Sequence, residues 1–207
     1  MCGGLLAAAV LGVYGAVGSV DAKAGGEGGA PVATSIPSHE AAPPEPGDFR
    51  LDAYRAPVPA TLKGARVVDA TVVAAEHDSR AAVLIDVYPR PPKPAGLPPG
   101  TIWRSTKHQS IEGAHWLPNV GYGKLADEPE AYFRHALEKL TAGDRAKPLV
   151  FFCLADCWMS WNAAKRALEW GYANVAWFPQ GIDGWREIGR GLVDLEPEPG
   201  PDGKVPE

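Results

Sequence analysis

Cys153 and Cys157, separated by three residues, are the side chains best suited to chemistry in this 207-residue chain. They stand between an apolar run, Leu149 to Phe152, and a stretch with helical character, Ser160 to Trp170, so the order is strand, cysteine loop, helix. Sites in parallel sheets form at the carboxyl ends of strands. Backbone N–H groups at a helix start carry the positive end of the dipole and favour a thiolate or a bound anion above the loop. A thiol in that field ionises more easily and becomes a nucleophile. Asp156 beside Cys157 works against its ionisation, which assigns attack to Cys153 and resolution to Cys157. Leu154, Ala155, Asp156, Trp158, Met159 and Ser160 then form the substrate-binding surround. Trp158 and Trp161 offer flat, water-excluding contact area, with core packing as the alternative. For Cys153 the alternative is a small apolar residue in the core.

The third cysteine, Cys2, precedes an apolar run from Leu5 to Val17 that is too short to span a bilayer and of a length suited to a signal peptide. Ala22 and Ala24 offer a cleavage site, so residues 1–24 are expected to be removed, with no membrane span left in an exported, periplasmic protein. Cys153 and Cys157 then answer to each other. A structural bridge closing so short a loop removes little unfolded-chain entropy, which favours chemistry over stapling. A copper or zinc site would need a third ligand, for which His108 and His115 are the candidates. No metal and no cofactor is assigned.

The elements that must position these thiols lie in one segment. Gly25 to Gly47 hold ten Gly and Pro in 23 positions, and Glu196 to Glu207 hold six in 12. The first is expected to be a linker (residues 25–47) and the second a disordered tail (196–207), leaving one domain over 48–195. Short apolar runs at 66–68, 82–87, 149–152 and 175–178 read as strands. Segments 71–77, 127–142, 160–170 and 181–188 read as helices, the second ending at Gly143. Their alternation predicts an α/β fold with a mostly parallel central sheet and helices on both faces. A formal charge of −5 argues against nucleic acid as a partner. The stretch from Val87 to Ile111 lacks acids and carries Arg90, Lys93, Arg104 and Lys107. It reads first as a solvated loop, with Arg104 or Lys107 as the candidate side-chain contacts for an anionic substrate.

Four places carry a family resemblance. Leu84-Ile-Asp86-Val87, Ile111-Glu-Gly-Ala-His-Trp-Leu-Pro118, Cys153 after the central strand, and Gly181-Ile-Asp-Gly-Trp185 together resemble the rhodanese pattern over about residues 65–192. The string Cys153-Leu-Ala-Asp-Cys-Trp158 and the segment Tyr54 to Leu62 are similar to a rhodanese-like family named for a CXXCW motif and for pyrroloquinoline-quinone (PQQ) dependent catabolism. The resemblance implies a rhodanese-like fold and persulfide or thiol–disulfide chemistry on a small sulfur or thiol substrate. It also implies an accessory role beside a quinoprotein alcohol dehydrogenase or cytochrome c, with a non-catalytic docking module or a copper-binding dithiol as the alternatives. Met159 stands where the family has a loop arginine or threonine, and Tyr88 where it has a strand arginine. Efficient transfer from thiosulfate, a dianion, is therefore not expected.

Overall fold

The computed structural model describes residues 42–91, 94–98, 100–101 and 107–206. The expected signal peptide, most of the linker and Arg104 lie outside the described residues.

In chain order the elements are β1 (Arg66–Val67), α1 (Ala70–Asp78), β2 (Val83–Asp86), β3 (His108–Ser110), β4 (His115–Trp116), α2 (Asp127–Thr141), β5 (Leu149–Phe152), α3 (Trp158–Glu169), β6 (Val175–Phe178), α4 (Gly181–Glu187) and β7 (Val193–Leu195). Five strands form a parallel sheet in the order β1-β6-β5-β2-β4. Every residue of β5 and β6 is buried, as expected of central strands covered on both faces. Alternate side chains go to opposite faces. Ile85, Leu149, Phe151, Val175 and Trp177 pack with α2 and α3 residues such as Phe133, Leu137, Trp161 and Ala164. Leu84, Val150, Phe152, Ala176 and Phe178 pack with Val73 and Ala74 of α1 and with Ile182 and Trp185 of α4. The α/β architecture expected from the sequence is the one observed. Among the described residues no helix is long and apolar enough to cross a membrane.

Helix boundaries follow local chemistry. The Asp69 carboxylate caps α1 by accepting from the Val72 amide at 2.9 Å. Asp127, Glu128 and Glu130 place negative charge at the positive end of α2. That helix stops one residue before the expected glycine, because Ala142 itself turns left-handed (φ 54°) and the Gly143 amide then returns to the Glu138 carbonyl at 2.9 Å. Helix α3 begins two residues earlier than the sequence suggests, directly after Cys157.

Two departures concern segments outside the main sheet. Strands β3 and β7 form a separate antiparallel pair with His108 opposite Leu195 and Ser110 opposite Val193. Residues 196–206, expected to be disordered, are packed on the domain. Pro197 bridges Trp116, the Glu198 amide donates to the Trp116 carbonyl at 2.9 Å, and the Tyr132 hydroxyl donates to the Glu198 carbonyl at 2.7 Å. The Asn119 side-chain amide donates to the Pro206 carbonyl at 3.3 Å. Packing also extends before residue 48, since the Glu45 carboxylate accepts from the Thr61 hydroxyl and the Lys63 amide. Each such bond contributes about 1 kcal/mol net. Truncation after Leu195 is therefore expected to lower unfolding free energy by at least about 2 kcal/mol in urea titration. An unchanged midpoint would show that the tail is not part of the fold.

Candidate functional site

Cys153 follows β5 at its carboxyl end, beside Asp86 at the end of β2, because Asp86 is in register with Phe152. Asp156 adopts a left-handed backbone (φ 50°), and Cys157 returns to an extended conformation (φ −121°, ψ 108°) as the residue that starts α3. This turn folds the loop back on itself and brings the two sulfurs to 2.7 Å. Both are free thiols, only 1% and 2% exposed.

The two thiols differ electrostatically. The hydrogen bond from Cys153 holds the Cys157 thiol down at about 7 against the opposing effect of burial, helped by the amides of Met159 and Leu154 and by the charge of Arg55. Burial pushes the Cys153 thiol up, reinforced by its hydrogen bond to Cys157, the charge there and the charge of Asp86. These opposite shifts favour ionisation of Cys157 over Cys153. This reverses the order expected from the sequence. Asp156, the reason for that expectation, carries an exposed side chain, while the start of α3 is aimed at Cys157.

The loop amides form a less open ring than expected. Those of Leu154 and Met159 face Cys157 Sγ. The Ala155 amide donates to the Asp183 carboxylate at 2.9 Å, and the Trp158 amide to the Tyr54 carbonyl at 2.9 Å. Gly181 closes on the loop from the far side: its φ is +52°, a Cβ there would strike the Cys153 carbonyl, and that carbonyl accepts from the Ile182 amide at 2.9 Å.

The other face of the loop is covered by a strap, residues 42–62. Arg55 and Cys157 form an antiparallel bridge, flanked by a bond from the Ala56 amide to the Asp156 carbonyl (3.1 Å) and by the Trp158–Tyr54 bond. The strap is held by α3. Trp158 Nε1 donates to the Pro57 carbonyl at 3.0 Å and Trp161 Nε1 to the Thr61 carbonyl at 3.1 Å. The Asn162 side chain bonds both the amide and the carbonyl of Arg50.

Of the expected surround, Leu154, Ala155 and Asp156 lie at the surface of the loop, whereas Trp158, Met159 and Ser160 are buried. Trp158 thus anchors the strap, Met159 packs beneath Gly121, and the Ser160 hydroxyl donates to the Cys157 carbonyl while accepting from Trp177 Nε1. Those three side chains are spent on packing, which corrects their assignment as substrate contacts. Lys107 is paired with Asp194 at 2.6 Å on the β3–β7 side. The candidate metal ligands are also engaged. His108 bonds Asp86 at 2.7 Å between the rings of Tyr88 and Trp116, and His115 bonds Glu198 at 2.6 Å. No group of three or more potential ligands forms among the described residues. Arg55 and Asp183 were not expected at the site. The sequence signal for each was its place in a family-like segment, Tyr54 to Leu62 for Arg55 and Gly181 to Trp185 for Asp183.

The family model of the Rhodanese-like domain matches residues 69–188, more than half of the chain. The chain belongs to the rhodanese-like family. The matched region takes in the sheet from α1 to α4 and the cysteine loop, while the strap and the packed tail lie outside it. No curated protein matches the chain. Among solved structures, a thiosulfate sulfurtransferase from Pseudomonas aeruginosa is similar at 21% identity and a TM-score of 0.44, over 64% of this chain and 21% of that one. The polysulfide-sulfur transferase homodimer of Wolinella succinogenes is similar at 18% identity and a TM-score of 0.38, over 64% of this chain and 80% of that one. This chain thus spans only about a fifth of the length of the Pseudomonas protein. The rhodanese-like fold supports sulfur or thiol chemistry in general.

The alkylation rate of Cys157 should rise as pH passes about 7, below the ordinary thiol range near 8.5. Cys153→Ala should move that midpoint upward by removing the donor to the thiolate. Gly181→Ala should cost about 1–3 kcal/mol in thermal or urea unfolding, from left-handed strain and the clash with the Cys153 carbonyl.

Proposed function

We propose that this rhodanese-like protein uses Cys157 and Cys153 as a dithiol that accepts sulfur or reduces a disulfide, with Cys157 attacking and Cys153 resolving. The observation that carries this reading is the 2.7 Å approach of the two sulfurs. The Cys157 thiolate attacks the outer sulfur of a sulfane-sulfur donor, forming a persulfide and expelling the rest of the donor as an anion. Cys153, giving up its proton, then attacks Cys157 Sγ; the intramolecular disulfide forms and hydrosulfide leaves. With a disulfide substrate the same two steps pass through a mixed disulfide and release two thiols. In both cases the substrate is reduced by two electrons and the dithiol oxidised. A reduced dithiol protein restores the starting state and is itself oxidised.

The setting we propose is the periplasm, after loss of residues 1–24, where the protein serves PQQ-dependent alcohol oxidation beside a quinoprotein dehydrogenase or its cytochrome. The string Cys153-Leu-Ala-Asp-Cys-Trp158, one residue longer between its cysteines than a CXXCW motif, and the apolar N-terminal run support this reading. In trapping with a sulfur donor followed by mass spectrometry, Cys153→Ser should accumulate a persulfide or mixed disulfide on Cys157, and Cys157→Ser should form neither. In a strain lacking the gene, Cys157→Ser should fail to restore growth on alcohols. Full restoration would mean that the protein acts by binding alone.

A further inference from the structure

We propose that Arg55, carried on the strap outside the matched family domain, is the substrate-positioning cation of the dithiol site and takes the anionic group of the sulfur donor. The proposal rests on the dithiol reading and adds a positioning residue to it, one that lies outside the matched family domain.

The backbone dictates where Arg55 points. The bonds beside the Arg55–Cys157 bridge run from Ala56 to Asp156 and from Trp158 to Tyr54, one residue to either side. The two residues are therefore a non-hydrogen-bonded antiparallel pair, the closer kind, with side chains projecting from the same face. The guanidinium is thus carried on the face from which Cys157 Sγ projects, and its charge is felt at that sulfur. Arg55 is exposed, and no hydrogen bond or ion pair of its side chain occurs among the described residues. Its neighbours on the strap are committed: Arg50 to Asp52 and the Trp158 ring, Glu45 to Thr61 and Lys63.

Four of the loop amides are already committed. The amides of Ala155 and Trp158 are taken by Asp183 and Tyr54, and those of Leu154 and Met159 are directed at the Cys157 sulfur. An anionic donor approaching a thiolate is repelled by it unless a cation lies beside the path. Arg55 supplies that charge, with a planar fork that matches an oxyanion. The strap backbone is fixed on both sides of it, through Arg50 to Asn162 and through Pro57 and Thr61 to the two indoles.

The test uses two alkylating reagents of nearly equal size, anionic iodoacetate and neutral iodoacetamide, on the full reduced protein well above the Cys157 midpoint. Arg55→Ala should lower the Cys157 rate with iodoacetate about five- to tenfold while changing the iodoacetamide rate less than about twofold. Arg55→Lys should keep most of the iodoacetate rate. Equal falls for both reagents would overturn the proposal by showing an effect on folding or thiol ionisation alone, and unchanged rates would overturn it directly. Reaction of neither reagent before unfolding would also overturn it, since a site that takes an anion must admit one. Failure of the sulfur chemistry would appear separately, as absence of a persulfide on Cys157 with the reagent discrimination intact.

Discussion

Two sulfur atoms 2.7 Å apart, nearly sealed from water, cannot both hold a negative charge. That constraint orders the rest of the site. One thiol must keep its proton and the other must have partners for its charge. The Met159 amide and the guanidinium of Arg55 lie on the side of Cys157, and the Leu154 amide serves both sulfurs. On the side of Cys153 lies a buried carboxylate, Asp86, tied down by His108, Ser110 and the Tyr88 amide. The fold therefore divides the pair into an acidic and a reluctant thiol before any substrate arrives.

The rhodanese-like sheet places the loop, and two segments beyond the matched domain finish it. The strap lies along the start of α3, held by indole N–H bonds to Pro57 and Thr61, so Trp158 and Trp161 act as anchors from within. The tail lies along the β4 edge of the sheet through Trp116, Tyr132 and Glu198. Neither segment has the length or periodicity of a sheet or helix. Each is fixed by backbone bonds to residues far away in sequence.

The central elements were legible because their signals are local. Leu149–Phe152 and Val175–Phe178 are continuous apolar runs that need burial on both faces, and α2 has an acidic first turn, an apolar stripe and a left-handed stop. The strands β3, β4 and β7 are two or three residues long and exist only through pairing with distant partners, which leaves no pattern to read. Gly and Pro in the tail excluded regular structure, and the inference from that to disorder failed because irregular backbone can still be bonded. The cysteine pair was evident from its place after a buried run. Its polarity was not, since it depends on where α3 begins and on an arginine about a hundred residues earlier, brought in by a single bridge.

The central claim, that Cys153 and Cys157 act as one redox unit, is tested most directly by equilibrating the protein in glutathione buffers of graded potential and counting blockable thiols by mass spectrometry. The account predicts that both thiols vanish together in one two-electron step, without bound glutathione at equilibrium. Stable glutathione adducts on one cysteine, or two thiols that stay free across an oxidising range, would contradict it.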